Sequence, residues 1–389
     1  MRRFLFITLL LSTIVTYQGF AQSSMWGDLA MLAPAKRSTP YKAKPLPSTA
    51  PATEKARIAK MEKELQEADA AFEKEEYDKA FVIYMKYRDF LDKEQYAYLG
   101  WVYQQGSEKI QDYTQSFYWS KKAAEAGSVS GMCFLATNYI LGRGTTKDYI
   151  QAFYWIKKAA EVGDNNGMFF LGICYYNGIG ITKDLKQGFY WYKKAAEAGN
   201  TIVMNILANC YYYGEGTTKD YTQAFYWLKK AAEAGNSDGM NTLGLFYENG
   251  IGTPQNYTQS FHWYKKAVEA GNSDGMYFLA TAYILGRGIK KDYSQAFYWY
   301  KKAAEAGNSD SMNNLGDMYR YGKGTTKDYN QAFYWYKKAA EAENSDGMNN
   351  LAYCYYYGEG TTKDLEKAKY WYKKACEAGN QTGCDNSKN

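Results

Sequence analysis

The 389-residue chain is poor in the residues that most chemistry needs: one histidine, six cysteines and six prolines. The lone His262 stands where sister positions carry tyrosine, for example Tyr226 and Tyr298, so it reads as a drifted copy rather than a base. Without a second histidine no His-dependent triad can be drawn, and no cysteine pair has the spacing of a zinc site. No Ser-x-x-Lys sequence occurs, so that acylation chemistry has no carrier. Neither a metal nor a cofactor is expected. The formal charge is +6, and about +4 without Arg2 and Arg3, too little to argue for nucleic acid. Nothing beyond the N-terminus reads as transmembrane.

What is present begins with an export-like start. Arg2 and Arg3 precede an apolar run, Phe4 to Val15, too short to span a bilayer, and Gly19-Phe20-Ala21 suits cleavage after Ala21. No cysteine follows the run, as a lipoprotein anchor would need. Residues 1–21 are thus expected to be a signal peptide, placing the chain in the periplasm, outside the cell or on its surface, where thiols oxidise. Residues 22–53 hold five of the six prolines and no apolar periodicity, and are expected to be a disordered linker. From Glu54 the order changes. Ile58, Met61, Leu65, Ala68 and Phe72 follow three- and four-residue steps, and a second helical pattern runs through Tyr77, Ala80, Phe81, Tyr84 and Tyr87. Residues 54–92 are similar to one tetratricopeptide hairpin and would cap the N-terminal end of the remaining chain.

The abundant residues are aromatic, and they are periodic. Trp119, Trp155, Trp191, Trp227, Trp263, Trp299, Trp335 and Trp371 stand 36 residues apart, as do the tyrosines from Tyr103 to Tyr355. Eight units without an insertion indicate one supersecondary element stacked on copies of itself over 93–384, with 385–389 left as a tail. Each unit reads as two helices. In the unit from Ser273, Met276, Leu279, Ala280 and Tyr283 mark the first helix, and Gly286 and Gly288 suit a turn with positive φ. Asp292 and Gln295 stand as an N-cap and its reciprocal partner, and the same pair recurs at Asp112, Asp148, Asp184, Asp220 and Asp328, with Asn256 in place of the Asp once and Lys367 in place of the Gln in the last unit. The second helix ends at Gly307, with Asn308 or Ser309 able to cap the next. That helix is apolar almost all round, so it must touch several neighbours. The residue before the fixed phenylalanine is always small, from Ser116 to Ala368, which lets helix axes approach. The residue after the fixed leucine alternates strictly, Gly100, Ala136, Gly172, Ala208 and onward, as copying in pairs would leave it. The recurrent Gly-x-Gly-Thr-Thr-Lys-Asp loops follow a helix and lack the Gly-Lys-Ser/Thr order, so they are turns and caps rather than phosphate cradles. The repeated lysine pairs, such as Lys301-Lys302, interleave with glutamate and read as a solvated face.

The block of glycines, Trp-Tyr-Lys-Lys-Ala-Ala and fixed spacing over 95–384 resembles the Sel1-like repeat, a relative of the tetratricopeptide repeat. The resemblance implies an all-α, right-handed α-solenoid whose first helices line a concave face that binds other proteins. Cys376 and Cys384 occupy the places held by Ala304 and Met312 elsewhere, so repeat symmetry brings them face to face. Secreted cysteine-rich relatives bridge repeats with this spacing, which implies a disulfide here. Cys174, Cys210 and Cys354 share one repeat phase, too far apart across neighbouring units for bridging, and are expected in the core; Cys133 is expected to be a surface thiol.

The positions that vary inside the fixed frame are the candidates for binding. On the first helices they are Phe169, Ile173 and Tyr176; Asn205, Asn209, Tyr212 and Tyr213; Asn241 and Leu245; and Tyr277 and Thr281. The later units add Asn313, Asp317, Arg320 and Tyr321, then Asn349, Tyr353, Tyr356 and Tyr357. Steps of four and three put these on one helix face. Tyrosine and asparagine offer stiff rings and adaptable hydrogen bonds. The expectation is an exported, non-enzymatic scaffold binding a protein or peptide in this groove. The alternative is a cell-wall glycan or peptidoglycan binder, since exposed rings stack on sugars. A β-lactam-interacting enzyme, suggested by the cysteine-rich relatives, ranks last.

Overall fold

A computed structural model describes residues 40–43 and 51–387. The segment read as a signal peptide and most of the linker lie outside these residues. Among the described residues all regular structure is helical, and no helix is long and apolar enough to cross a membrane.

The chain opens with a hairpin, α1 (Ala52–Glu73) and α2 (Tyr77–Lys86). The expected stripe is buried on α1: Met61, Leu65, Ala68 and Phe72 pack with Ala80 and Tyr84 of α2. Asp69 is buried in this core and accepts from the Tyr84 hydroxyl at 2.9 Å and from Gln95 Nε2 at 3.1 Å, so one carboxylate ties the hairpin to the first repeat. Part of the stretch read as a disordered linker is instead docked here. Tyr41 is buried, its hydroxyl donating to the Phe90 carbonyl at 2.9 Å, while Ala43 N donates to Glu62 Oε1 at 2.7 Å. A buried ring and three hydrogen bonds offset the ordering of so short a segment, which periodicity cannot reveal.

The repeats come as pairs of 13-residue helices: α3 (Lys93–Gln105) with α4 (Tyr113–Glu125), α5 (Val129–Leu141) with α6 (Tyr149–Glu161), and α7 (Asn165–Asn177) with α8 (Leu185–Glu197). Next come α9 (Thr201–Tyr213) with α10 (Tyr221–Glu233), α11 (Ser237–Asn249) with α12 (Tyr257–Glu269), and α13 (Ser273–Leu285) with α14 (Tyr293–Glu305). Two further pairs, α15 (Ser309–Tyr321) with α16 (Tyr329–Glu341) and α17 (Ser345–Tyr357) with α18 (Leu365–Glu377), precede a short α19 (Gln381–Asn386). Helix α19 extends two residues into the stretch read as tail. Residues up to Val203, with Glu215–Thr217, form one compact unit, and Met204–Gly214 with the residues from Thr218 form another. Each unit is an α-solenoid of stacked repeats.

Every second helix is capped as its sequence demands, with one difference. The Asp328 carboxylate accepts from Asn330 N and Gln331 N at 2.9 and 3.0 Å, Asp220 does the same, and Asn256, Asp292 and Asp364 accept from the second of these positions alone. The expected return bond from glutamine forms at Asp92 and Gln95 ahead of α3. Inside the repeats the cap N–H is already engaged: Asp328 N donates to the Tyr319 carbonyl at 2.9 Å, and Asp112 N to that of Tyr103 at 2.9 Å. The periodic tyrosine therefore fixes the turn with its backbone. Its ring does separate work, meeting the phenylalanine of the preceding repeat edge-on, as in Phe117–Tyr139 at 5.3 Å and Phe333–Tyr355 at 5.4 Å. Such pairs add about 0.5–1.5 kcal/mol beyond the area they bury. First helices are capped by the asparagine, not the serine, of the Asn-Ser-Asp run: Asn308 Oδ1 accepts from Ser311 N at 2.8 Å.

One glycine position is set by packing. The second glycine of each Gly-x-Gly turn has φ near +70°, and a Cβ on Gly324 would lie 2.1 Å from the Tyr293 carbonyl oxygen of the preceding repeat. A Cβ on Gly172, Gly244 or Gly316 would sit 2.5–2.6 Å from the ring of Tyr192, Tyr264 or Tyr336, yet Ala280 and Ala352 stand at the same place with Tyr300 and Tyr372, so the ring alone does not set the Gly/Ala alternation. The fixed leucines, Leu99 to Leu351, are buried throughout, and no indole among the described residues is exposed. Cys376 and Cys384 are bonded, closing α18 onto α19 where other repeats place alanine against methionine.

Candidate interaction surface

The variable face of the first helices divides into three levels. Phe169, Ile173, Asn241 and Asn313 are buried, so they are floor rather than contact surface. This corrects their reading as groove residues, and the cause is the second helix beneath. Its residue 19 positions after the second variable site is bulky and inward, so the pair packs shut. At two of the five repeats where that residue is tyrosine, the variable site supplies its hydroxyl with a partner. Tyr336 Oη donates to Asp317 Oδ1 at 2.7 Å, and Tyr300 Oη lies 2.9 Å from Thr281 Oγ1. In α11, where Leu245 offers nothing, Tyr264 Oη donates to Glu248 at 2.8 Å. Burial raises the Asp317 carboxyl above its ordinary range, against the pull of Tyr336 and Arg320, and pushes the Tyr300 hydroxyl up to about 12.

The third variable site of each helix faces the residue between the two turn glycines of the next repeat. Arg320 Nε donates to Glu359 Oε2 at 2.8 Å, Arg287 pairs with Glu248, and the Tyr176 hydroxyl donates to Glu215. Arg320 also lies over the Tyr353 ring at 3.9 Å. Arg320 is thus committed within the fold and is not a free contact. Asn350 Nδ2 donates to Asn313 Oδ1 at 2.8 Å, another link between repeats.

Asn205, Asn209, Tyr212, Tyr213, Leu245, Tyr277, Thr281, Asn349 and Tyr353 are half-buried along the same face. Tyr212 packs against Tyr213, Tyr221 and Phe246, and Tyr277 against Phe278 and Tyr300. Of the candidates only Tyr321 at 57%, Tyr356 at 43% and Tyr357 at 58% are exposed, at the ends of their helices, where Leu285 of the preceding repeat is 46% exposed as well. Tyr357 packs against Tyr353 at 4.4 Å and Tyr356 at 4.8 Å, so these rings form one cluster. Along the turns beside them stand Lys323, 5.6 Å from the Tyr321 ring, and Lys363, 5.6 Å from that of Tyr356.

The second-helix tyrosines, the turn residues Glu215, Arg287 and Glu359, and these lysines were not among the sequence candidates. Their signal in the sequence is complementary chemistry at spacings of 19 and 39 residues.

The surface offers little for catalysis. Burial pushes the Cys174 and Cys354 thiols up to about 12. Cys133 is half-buried rather than a surface thiol, and burial beside Asp164 raises it well above its usual range. His262 meets Trp263 edge-on at 5.5 Å on the outer side. Among the described residues no cluster of histidine, cysteine and carboxylate could hold a metal.

The family comparison agrees with this geometry. Residues 96–128, 129–164, 166–200, 202–236, 237–272, 273–308, 309–344 and 345–380 each match the Sel1 repeat. Among solved structures, a protective antigen of uropathogenic Escherichia coli strains displaying an SLR fold is 36% identical over 78% of this chain, with a TM-score of 0.71. This chain covers 65% of that protein. A Sel1 repeat protein from Oxalobacter formigenes is 30% identical over 62% of this chain and 96% of its own, with a TM-score of 0.56. No curated protein matches the chain in sequence. With all eight 36-residue units matched, the chain belongs to the Sel1 repeat family.

Proposed function

We propose that the chain is an exported, non-enzymatic scaffold that binds a protein or peptide on the first-helix face of its second unit, at the cluster of Tyr321, Tyr353, Tyr356 and Tyr357. Sel1-repeat proteins are generally protein-interaction scaffolds, and no catalytic family is indicated. The observation that carries the site is the exposure of Tyr321, Tyr356 and Tyr357 on a face where Arg320 and Asp317 are held by Glu359 and Tyr336. Rings with two rotatable angles supply contact area at small entropic cost. The Cys376–Cys384 bond supports export to an oxidising compartment, in keeping with cleavage near Ala21.

Cross-linking and capture with the full chain tests this. Partners should be lost with Tyr356→Ala/Tyr357→Ala while the circular dichroism melt is unchanged. Identical capture by the wild type and the double variant would refute the site.

A further inference from the structure

Repeats this alike carry a hazard: a face that fits its neighbour also fits other copies of that neighbour. Two junctions of the second unit show it, α11 and α12 against α13 and α14, and α15 and α16 against α17 and α18. Their frame is the same. The ring pairs Phe261–Tyr283 and Phe333–Tyr355 meet edge-on at 5.3 and 5.4 Å. Asn272 and Asn344 each donate to an aspartate of the preceding repeat, Asp238 and Asp310, at 2.7 Å. A Cβ on either turn glycine, Gly288 or Gly360, would lie 2.0 Å from a carbonyl oxygen of that repeat. This packing gives either face little means to tell α13 and α14 from α17 and α18.

Charge does tell them apart. Glu248 of α11 pairs with Arg287 in the turn after α13, whereas Arg320 of α15 pairs with Glu359 in the turn after α17, at 2.8 Å. The sites are equivalent and their polarity is opposite. Exchanging the partners would set Glu248 against Glu359 and Arg320 against Arg287. All four side chains are at most 24% exposed, so solvent and salt screen such a clash little. The lysine–glutamate pairs of the second helices, such as Lys337–Glu341 and Lys373–Glu377, are exposed and keep one polarity, so they cannot discriminate.

We propose that these two oppositely oriented ion pairs fix the stacking register of the repeats, barring an exchange by two repeats within the chain or between two copies of it. Attraction in the native order becomes like-charge repulsion in the exchanged one. That difference, more than net stabilisation, is what a mostly buried pair supplies. Two further contacts differ between the junctions: Phe278 stacks on Tyr264, and Asn350 donates to Asn313. The variants below change charge and leave those contacts alone.

The test refolds the full chain from urea at rising protein concentration and reads the monomer fraction by size exclusion with light scattering. Glu248→Arg/Arg287→Glu keeps a pair at the first junction but gives both junctions one polarity, so an exchange now meets opposite charges. This variant should lose monomer at a concentration at least about tenfold below the wild type's. Glu248→Gln/Arg287→Gln removes both the attraction and the repulsion there, and should fall between the two. Adding Arg320→Glu/Glu359→Arg to the first variant makes the polarities opposite again and should restore the monomer. Asp317→Thr accompanies that change, since Asp317 feels the Arg320 charge and Thr281 already serves the equivalent tyrosine. Both reversed variants cost Tyr264 its Glu248 acceptor, so that loss does not separate them. A role in stability alone would order the variants by their urea midpoints and leave the double reversal worst. Wild-type refolding of Glu248→Arg/Arg287→Glu overturns the proposal, as does a neutral variant that loses monomer at a lower concentration than it. A double reversal that folds cooperatively yet associates like the single one overturns it too.

Discussion

Seven of the eight repeats close the second helix with glycine, at positions such as Gly271, Gly307 and Gly379, and one closes it with Glu343. Glu343 nonetheless takes the left-handed backbone, with φ of 59° against 96° at Gly307. Its N–H bonds to the Ala340 carbonyl at 3.1 Å, as Gly307 N bonds to that of Ala304 at 3.0 Å, so the turn itself is the same. A Cβ at Gly307 or Gly379 meets nothing within 4 Å, which leaves backbone strain as the only difference. That strain costs about 1–2 kcal/mol for a residue with a side chain. Glycine returns part of it through the entropy of the unfolded chain, about 0.4–1 kcal/mol. Glu343→Gly should therefore stabilise by about 0.5–1 kcal/mol, read in urea titration as a higher midpoint with an unchanged slope. Glu343→Ala keeps the strain and should gain nothing, and Gly307→Glu should lose what Glu343→Gly gains. Equal gains from Glu343→Gly and Glu343→Ala would assign the effect to the carboxylate and refute the backbone argument.

The other predictions test separate parts of the frame. Gly324→Ala adds a Cβ at 2.1 Å from a backbone oxygen on top of a left-handed φ, and should cost about 2–5 kcal/mol by urea titration. Asn138 is buried with both amide atoms unpartnered in the slot that Cys174, Cys210 and Cys354 fill elsewhere, so Asn138→Cys should raise stability by about 1–3 kcal/mol, and a loss would show that a partner holds it. Asp310 has a folded-state pKa raised chiefly by burial. A raised carboxyl favours folding below its unfolded pKa and loses that contribution as pH climbs through the folded one. Asp310→Asn, which still accepts from Asn344, should therefore stabilise at pH 7 and do less near pH 4; a larger gain at pH 4 would refute the sign. Reducing Cys376–Cys384 opens a loop of eight residues' separation and should cost about 2–3 kcal/mol, seen as faster amide exchange confined to α18 and α19.

The architecture could be read from the sequence because every repeat answers to the same neighbours. Trp119 and its seven successors and the leucine column recur eight times without slippage, and the Gly-x-Gly turns seven times, each with one structural cause. The Tyr103 series shows how far such reading goes. Its recurrence in register announced packing, but not that the carbonyl would take the cap N–H and leave Gln115-type side chains without that bond. Docking of Tyr41 was not legible at all, since a single aromatic residue in a proline-rich stretch has no periodicity to betray it. The groove was half legible. Helical spacing placed Ile173, Asp317 and Arg320 on one face, yet spacing cannot say whether that face meets water.

That last distinction decides what variation means in a repeat protein. At Arg320 the residue differs from its sister positions where Glu359 differs too, so variability there records internal pairing between neighbours, whereas Asp317 and Thr281 are two answers to the same tyrosine, Tyr336 and Tyr300. At Tyr321 and Tyr357 no such partner accounts for the choice: the rings are more than half exposed, and exposed apolar surface on a stable frame is a standing cost in solvation unless something covers it. Variable positions with a matched partner 19 or 39 residues away belong to the fold. The remainder, concentrated in the last two repeats beside Lys323 and Lys363, is where selection by a partner can act, and substitutions there should change binding while leaving the melting curve in place.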